Sequence, residues 1–161
     1  MSKKVIAFDN KYSKDLLKIF NSGRKSKQFF RKDLVSWKEH KKWLASNLQN
    51  SSMFIFLLLY KTKVVGYTRF DFIGPNFFEV SIAILKKYRN LNLGSFLLKQ
   101  SIKKMLAIKK IKKVSAITKK DNVKSWMVFL KNNFRIITFS KKIKTKNPFN
   151  SSVEFYLELS I

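Results

Sequence analysis

Asp71 and Glu79 stand four residues either side of Pro75, within reach of the turn signal Gly74-Pro75-Asn76. If the flanking segments form a hairpin symmetric about Pro75, the two carboxylates face each other across the strands. Like charges so placed hold one carboxyl above its usual range, which suits proton abstraction near neutral pH. Glu79 is then the first candidate for a general base, acting through a water, with Asp71 as its partner. A slip of one residue in register separates the pair. Pairing with Arg69 or a nearby Lys would give both acids a purely structural role.

The second group is the run KKYRNLNLGSFLLKQ at residues 86–100. It joins an apolar strand to an amphipathic helix. The first N–H groups of a helix have no helical partner, and the macrodipole adds positive charge, so such a junction is a general anion site. Gly94 permits close backbone approach, and Asn92 tolerates left-handed backbone better than most residues. Lys86, Lys87 and Arg89 add charge. A basic turn with no ligand fits the same residues. The run is neither a P-loop nor a dinucleotide fingerprint.

A third group is Asn122, Ser125 and Phe129, spaced i, i+3, i+7 and so on one helix face. Val123, Trp126, Met127 and Leu130 form another face, expected to be the core stripe. Asn133 suits the left-handed position that ends such a helix. The single histidine, His40, has the intrinsic pKa for proton transfer but lies between Trp37 and Trp43, where packing or exposure is the commoner role. With one His and no Cys, no metal site is expected.

The elements that would hold these groups read in order as β-α-α-β-β-β-α-β-α-β-β. A strand at residues 4–8 precedes a helix capped by Ser13, with Leu16, Leu17 and Phe20 on one face. Residues 23–32 read as a basic loop. Ser36 and Glu39 form a capping box opening a helix to about residue 49, with Trp37, His40, Leu44 and Leu48 along one side. Residues 53–60 are apolar on both faces, hence an interior strand. Residues 63–73 and 77–85 form the hairpin. On the second of these strands Phe78, Val80, Ile82 and Ile84 face one way, and Glu79, Ser81 and Ala83 form a small, polar face. Leu98, Ile102, Met105 and Leu106 follow helical spacing. A strand at 113–118, a helix at 122–132 and strands at 135–142 and 153–159 complete the order, with a basic loop at 144–150. The expected fold is a three-layer α/β/α sandwich with a mixed, largely antiparallel sheet.

The chain has 161 residues, 45% of them apolar, which favours one domain spanning 1–161. Its formal charge is +26, and 30 of its 35 basic residues are Lys. Such a surface attracts anions, although an AT-rich coding sequence would produce the same bias. No signal peptide is apparent. The longest apolar run, residues 53–60, is too short to span a bilayer, so a cytoplasmic protein without membrane contact is expected.

These residues resemble the GNAT superfamily, the GCN5-related N-acetyltransferases. The family's Gln/Arg-x-x-Gly-x-Gly/Ala motif is matched by Arg89 and Gly94, with Asn92 in place of the first Gly. Its later Asn-x-x-Ser and Tyr-x-Lys-x-Gly-Phe motifs are matched by Asn122, Ser125, Lys131 and Phe134. Phe129 replaces Tyr and Asn133 replaces Gly. The resemblance implies acetyl-CoA as cofactor. Backbone at Ile82, Ala83 and Ile84 would hold its pantetheine arm, and strand N–H groups near Ile82 would polarise the carbonyl. Arg89, Asn90, Leu91, Asn92, Leu93, Gly94 and Ser95 would wrap its pyrophosphate, and Asn122, Ser125 and Phe129 would line the far side. Phe129 cannot donate the proton that Tyr supplies in many members. Tyr67, Tyr88 or water would then serve, unless the thiolate leaves unaided.

The segment VSWKEHKKWL at residues 35–44 is similar to acetyltransferases of nucleotide-linked amino sugars in pseudaminic-acid and sialic-acid-like pathways. This implies Trp37 and His40 as substrate contacts, though an ordinary capped helix reads the same way. The implied acceptor is a small-molecule amine, anionic or nucleotide-linked. The alternatives are a protein N-terminal or ribosomal-protein acetyltransferase, a basic nucleic-acid-binding module and a CoA-binding pseudoenzyme. Nucleic acid is not the expected partner, because the aromatic residues fall into core periods. The oligomeric state stays open, a dimer among the options.

Overall fold

The computed structural model describes residues 2–25, 33–49, 52–137, 145–146 and 153–161. Seven strands form one sheet in the order β1-β2-β3-β4-β5-β7-β6. They are β1 (Lys3–Ala7), β2 (Met53–Tyr60), β3 (Lys63–Gly74), β4 (Phe77–Ile84), β5 (Lys113–Lys119), β6 (Arg135–Ile136) and β7 (Glu154–Ser160). The helices are α1 (Ser13–Lys25), α2 (Trp37–Leu48), α3 (Leu93–Ile108) and α4 (Val123–Leu130). Every neighbouring pair is antiparallel except β4 and β5, which run parallel. The expected element order and mixed sheet are both present.

Period-two alternation sorts the apolar residues onto two faces. Phe56, Leu58, Val80 and Val114 pack with Leu97, Leu98 and Met105 of α3 and with Phe129 of α4. Ile55, Leu57, Tyr67 and Ala83 pack on the other face with Leu16 and Ile19 of α1 and Leu44 of α2. Each fully buried Leu contributes about 1.5–3 kcal/mol, so both layers are firmly held. β2 lies inside the sheet, as its unbroken apolar run implies.

Local details depart from the sequence reading. Ser13 does not cap α1: its hydroxyl donates to the Asn10 carbonyl at 2.6 Å, and Asp9 caps the preceding 3-10 turn instead. α1 continues through Gly23 to Lys25, so part of the expected loop is helical. The rest of that loop, residues 26–32, lies outside the described residues. So do residues 138–142 of the expected strand 135–142 and all of the loop 144–150 except residues 145–146. Leu106, expected in the core stripe of α3, is 42% exposed.

The capping box forms as read. The Ser36 N–H donates to Glu39 Oε2 at 2.7 Å, and the Glu39 N–H donates to Ser36 Oγ at 3.2 Å.

Candidate active site

β4 and β5 pair over only three residues, from Phe77 opposite Lys113 to Glu79 opposite Ser115. Beyond Glu79 the parallel strands part. The β4 edge from Val80 onward therefore has backbone groups without a ladder partner on that side. The wedge widens into a cleft of about 1440 Å³ that crosses the sheet between its two helical layers.

One wall is the junction from β4 to α3. Asn90 and Asn92 hold φ of 66° and 55°, both left-handed. Asn92 precedes α3 and gives it no side-chain cap. The N–H groups of Leu93, Gly94 and Ser95 are thus left for another acceptor, at the positive end of a 16-residue helix. Gly94 packs beside α4, where a Cβ would lie 3.4 Å from Val128, an ordinary contact. Arg89 Nε donates to the Ile84 carbonyl at 3.0 Å, fastening the loop to the strand end. Leu91 points away, 51% exposed and outside the cleft wall, so only its backbone belongs to the loop.

The facing wall is α4. Asn122, Ser125 and Phe129 all line the cleft. The expected core stripe is corrected, however. Val123 and Met127 are 51% and 38% exposed at the cleft wall, while Phe129 is buried against Phe134 at 5.1 Å between ring centroids. Trp126 and Leu130 do pack on the core. α4 ends as expected: Asn133 has φ 65°, its N–H donates to Leu130 O, and the Phe134 N–H donates to Phe129 O. That pair of bonds is the Schellman ending usually built on glycine. Two links tie the walls, Lys124 Nζ to Asn90 Oδ1 and Asn132 Nδ2 to Ser95 Oγ, each 3.0 Å.

On the α1–α2 side, Asp71 pairs directly with Glu79, with Arg69 opposite Ser81 and Tyr67 opposite Ala83. Both acids are buried, at 7% and 5% exposure. Arg69 Nε donates to Asp71 Oδ2 at 2.8 Å, an ion pair. Glu79 Oε2 accepts from the Lys146 N–H at 3.3 Å. Phe20, Trp43 and Tyr67 line this half, with Arg24 stacked on Phe20 and Arg69 on Trp43. Burial pushes the Tyr67 phenol up to about 12, which makes it a weak acid.

His40 reaches the cleft wall but is 2% exposed, and its Nε2–H donates to the Ser13 carbonyl at 3.0 Å. Burial holds its imidazole below the ordinary value. It bolts α2 to the start of α1. Trp37 is 38% exposed beside Lys41 and is not part of the cleft wall; Trp43 takes the lining place. Thr118 and Lys146 also line the cleft and escape sequence reasoning, because only the strand splay and a long-range contact bring them there. No group of residues among those described could hold a metal ion.

A splayed β4–β5 pair, a helix N-terminus in the opening and acids at the apex define an α/β domain with an open cleft in its sheet. The chain belongs to the acetyltransferase (GNAT) family, whose sequence model matches residues 15–134. It is an acetyl-CoA-dependent acetyltransferase. The fold is similar to a ribosomal-protein-alanine N-acetyltransferase from Brucella melitensis, at 17% identity and TM-score 0.79 over 98% of this chain and 99% of that one. It is also similar to spermidine N-acetyltransferase from Vibrio cholerae in complex with CoA and spermine, at 12% identity and TM-score 0.81 over 98% and 95%. Campylobacter jejuni PseH in complex with acetyl coenzyme A aligns at 18% identity and TM-score 0.69 over 99% of each chain. A comparison with curated proteins finds no match.

Proposed function

We propose that this enzyme acetylates the primary amine of a nucleotide-linked amino sugar, with Glu79 as the base. The observation that carries this reading is the position of Glu79. It is the last β4 residue paired with β5, at the apex of the cleft, with the ion-paired Asp71 beside it. Acetyl-CoA, when bound, supplies an electrophilic thioester carbonyl on a good leaving group.

The cleft suits that cofactor. Its volume exceeds the 300–1000 Å³ usual for a single small ligand. The uncapped N–H groups of Leu93, Gly94 and Ser95 bind the pyrophosphate. The open edge at Ile82, Ala83 and Ile84 holds the pantetheine arm, and Asn122 and Ser125 line its far side. The buried Thr118 hydroxyl, which has no hydrogen-bond partner, faces the same opening. Phe129 packs and moves no proton. A thiolate leaves readily near neutral pH, since thiols ionise at about 8.5.

On the acceptor side, Glu79 and Asp71 favour the amine end. Arg24, stacked on the Phe20 ring, favours a planar and anionic remainder. The test is thiol release with a three-amine panel: UDP-glucosamine, spermidine and an alanine-initiated peptide. The highest kcat/KM is expected with UDP-glucosamine, and Glu79→Gln should lower its turnover about 100-fold with acetyl-CoA affinity unchanged. Preference for the peptide or spermidine would overturn the acceptor, and full turnover in Glu79→Gln would overturn the base.

A further inference from the structure

With the thioester held along the open β4 edge, a gap separates Glu79 from the reacting amine. Glu79, Ser81 and Ala83 lie on one face of β4, successive members about 7 Å apart along the strand. The open edge that holds the thioester begins only beyond Glu79. An amine attacking a carbonyl beside Ile82 and Ala83 therefore stands beyond the roughly 3 Å needed for direct proton transfer to Glu79.

Ser81 occupies the step between them. It is the first residue on that face past the split, and it lines the cleft. Its Oγ is buried without a hydrogen-bond partner. Its cross-strand neighbour Arg69 is committed to Asp71 and to the Trp43 ring. A buried hydroxyl with no partner costs about 1–3 kcal/mol, and this one belongs to a residue of the cleft lining, one side-chain rotation from an incoming amine. A hydroxyl both accepts and donates, which is what a relay needs.

We infer that Ser81 is the proton relay between the acceptor amine and Glu79, an inference that rests on Glu79 being the base. The amine nitrogen bonds to the acetyl carbon as the carbon–sulfur bond breaks, and that electron pair leaves on the CoA thiolate. An amine proton passes to Ser81 Oγ while the proton of Ser81 passes to Glu79, and from there to solvent.

Ser81→Thr and Ser81→Val test this, because they differ by a hydroxyl against a methyl at equal volume, and both suit a strand. With the panel amine that wild type uses best, Ser81→Thr should keep kcat within about 5-fold. Ser81→Val should lose about 100-fold in kcat with the KM for acetyl-CoA unchanged. The double variant Ser81→Val/Glu79→Gln should be no slower than Glu79→Gln alone, as expected of groups acting as a unit. A binding readout is independent of turnover. In calorimetry on the CoA-saturated protein, Ser81→Val should weaken binding of that amine about 3- to 10-fold, the worth of one hydrogen bond, and Ser81→Thr should not. Equal turnover in the Thr and Val variants, or losses that multiply in the double variant, would overturn the relay while leaving Glu79 as the base. Full turnover in Glu79→Gln would overturn the base and the relay together.

Discussion

Asn92 sits at φ 55° directly before α3, and Asn133 at φ 65° in the turn that ends α4. Left-handed backbone costs an ordinary residue about 1–2 kcal/mol, and Asn and Gly least. Asn92→Gly should therefore keep acetyl-CoA affinity within about 3-fold. Asn92→Val, β-branched and strained there, should weaken it about 10-fold or more by turning the first-turn N–H groups away; isothermal titration calorimetry measures both. Both asparagines were legible in the sequence as stand-ins for glycine, because the conformational preference belongs to the residue itself. Ser81 and Thr118 were not so legible. A hydroxyl becomes conspicuous only when folding buries it without a partner.

At the level of elements, α2 and α4 teach opposite lessons. The capping box of α2 is a local exchange between Ser36 and Glu39, so it could be read from four residues. The same helix carries His40, whose ring joins it to α1 through the Ser13 carbonyl. Burial lowers the pKa of that ring, so the folded chain favours the neutral form. The unfolded chain takes up a proton at about 6.5, and the folded one only at lower pH. Stability is thus full above that value and falls as pH drops through it. The urea midpoint should decline between pH 7.5 and 5.5. His40→Phe, which removes the only histidine, should start lower but vary less across that window. α4 misled because periodicity defines a stripe without saying what covers it. Val123 and Met127 share helical spacing with Trp126 and Leu130, yet face the cleft, since the sheet beneath them has split.

Over the whole molecule, five of the nine acidic residues line the cleft: Asp33, Glu39, Asp71, Glu79 and Glu154. The lysines Lys124 and Lys131 stand on its α4 wall. Arg24, Arg69, Arg89, Lys119 and Lys146 line the cleft as well, so five acids face seven basic residues and the cleft is nearer charge balance than the strongly cationic chain around it. Saturating acetyl-CoA, at about 100 times its Kd, should add about 2.7 kcal/mol. That raises Tm by roughly 5–10 °C for a chain of this size, and the shift should shrink from 50 to 500 mM salt as the surface charges are screened. Differential scanning fluorimetry reads it. The sequence by itself determined the element order, the turn at Pro75, the left-handed asparagine before α3 and the two faces of β4. Each of these depends on contacts within a few residues or on a periodicity of two or 3.6. Only the tertiary structure decided where β4 and β5 part, which puts Glu79 at the apex and exposes the strand edge beyond it. It also decided that Arg69 takes Asp71, that His40 is a bolt and that Trp43 lines the cleft in place of Trp37. Those outcomes depend on how sheet twist and helix packing divide space between distant segments, and no local pattern encodes that.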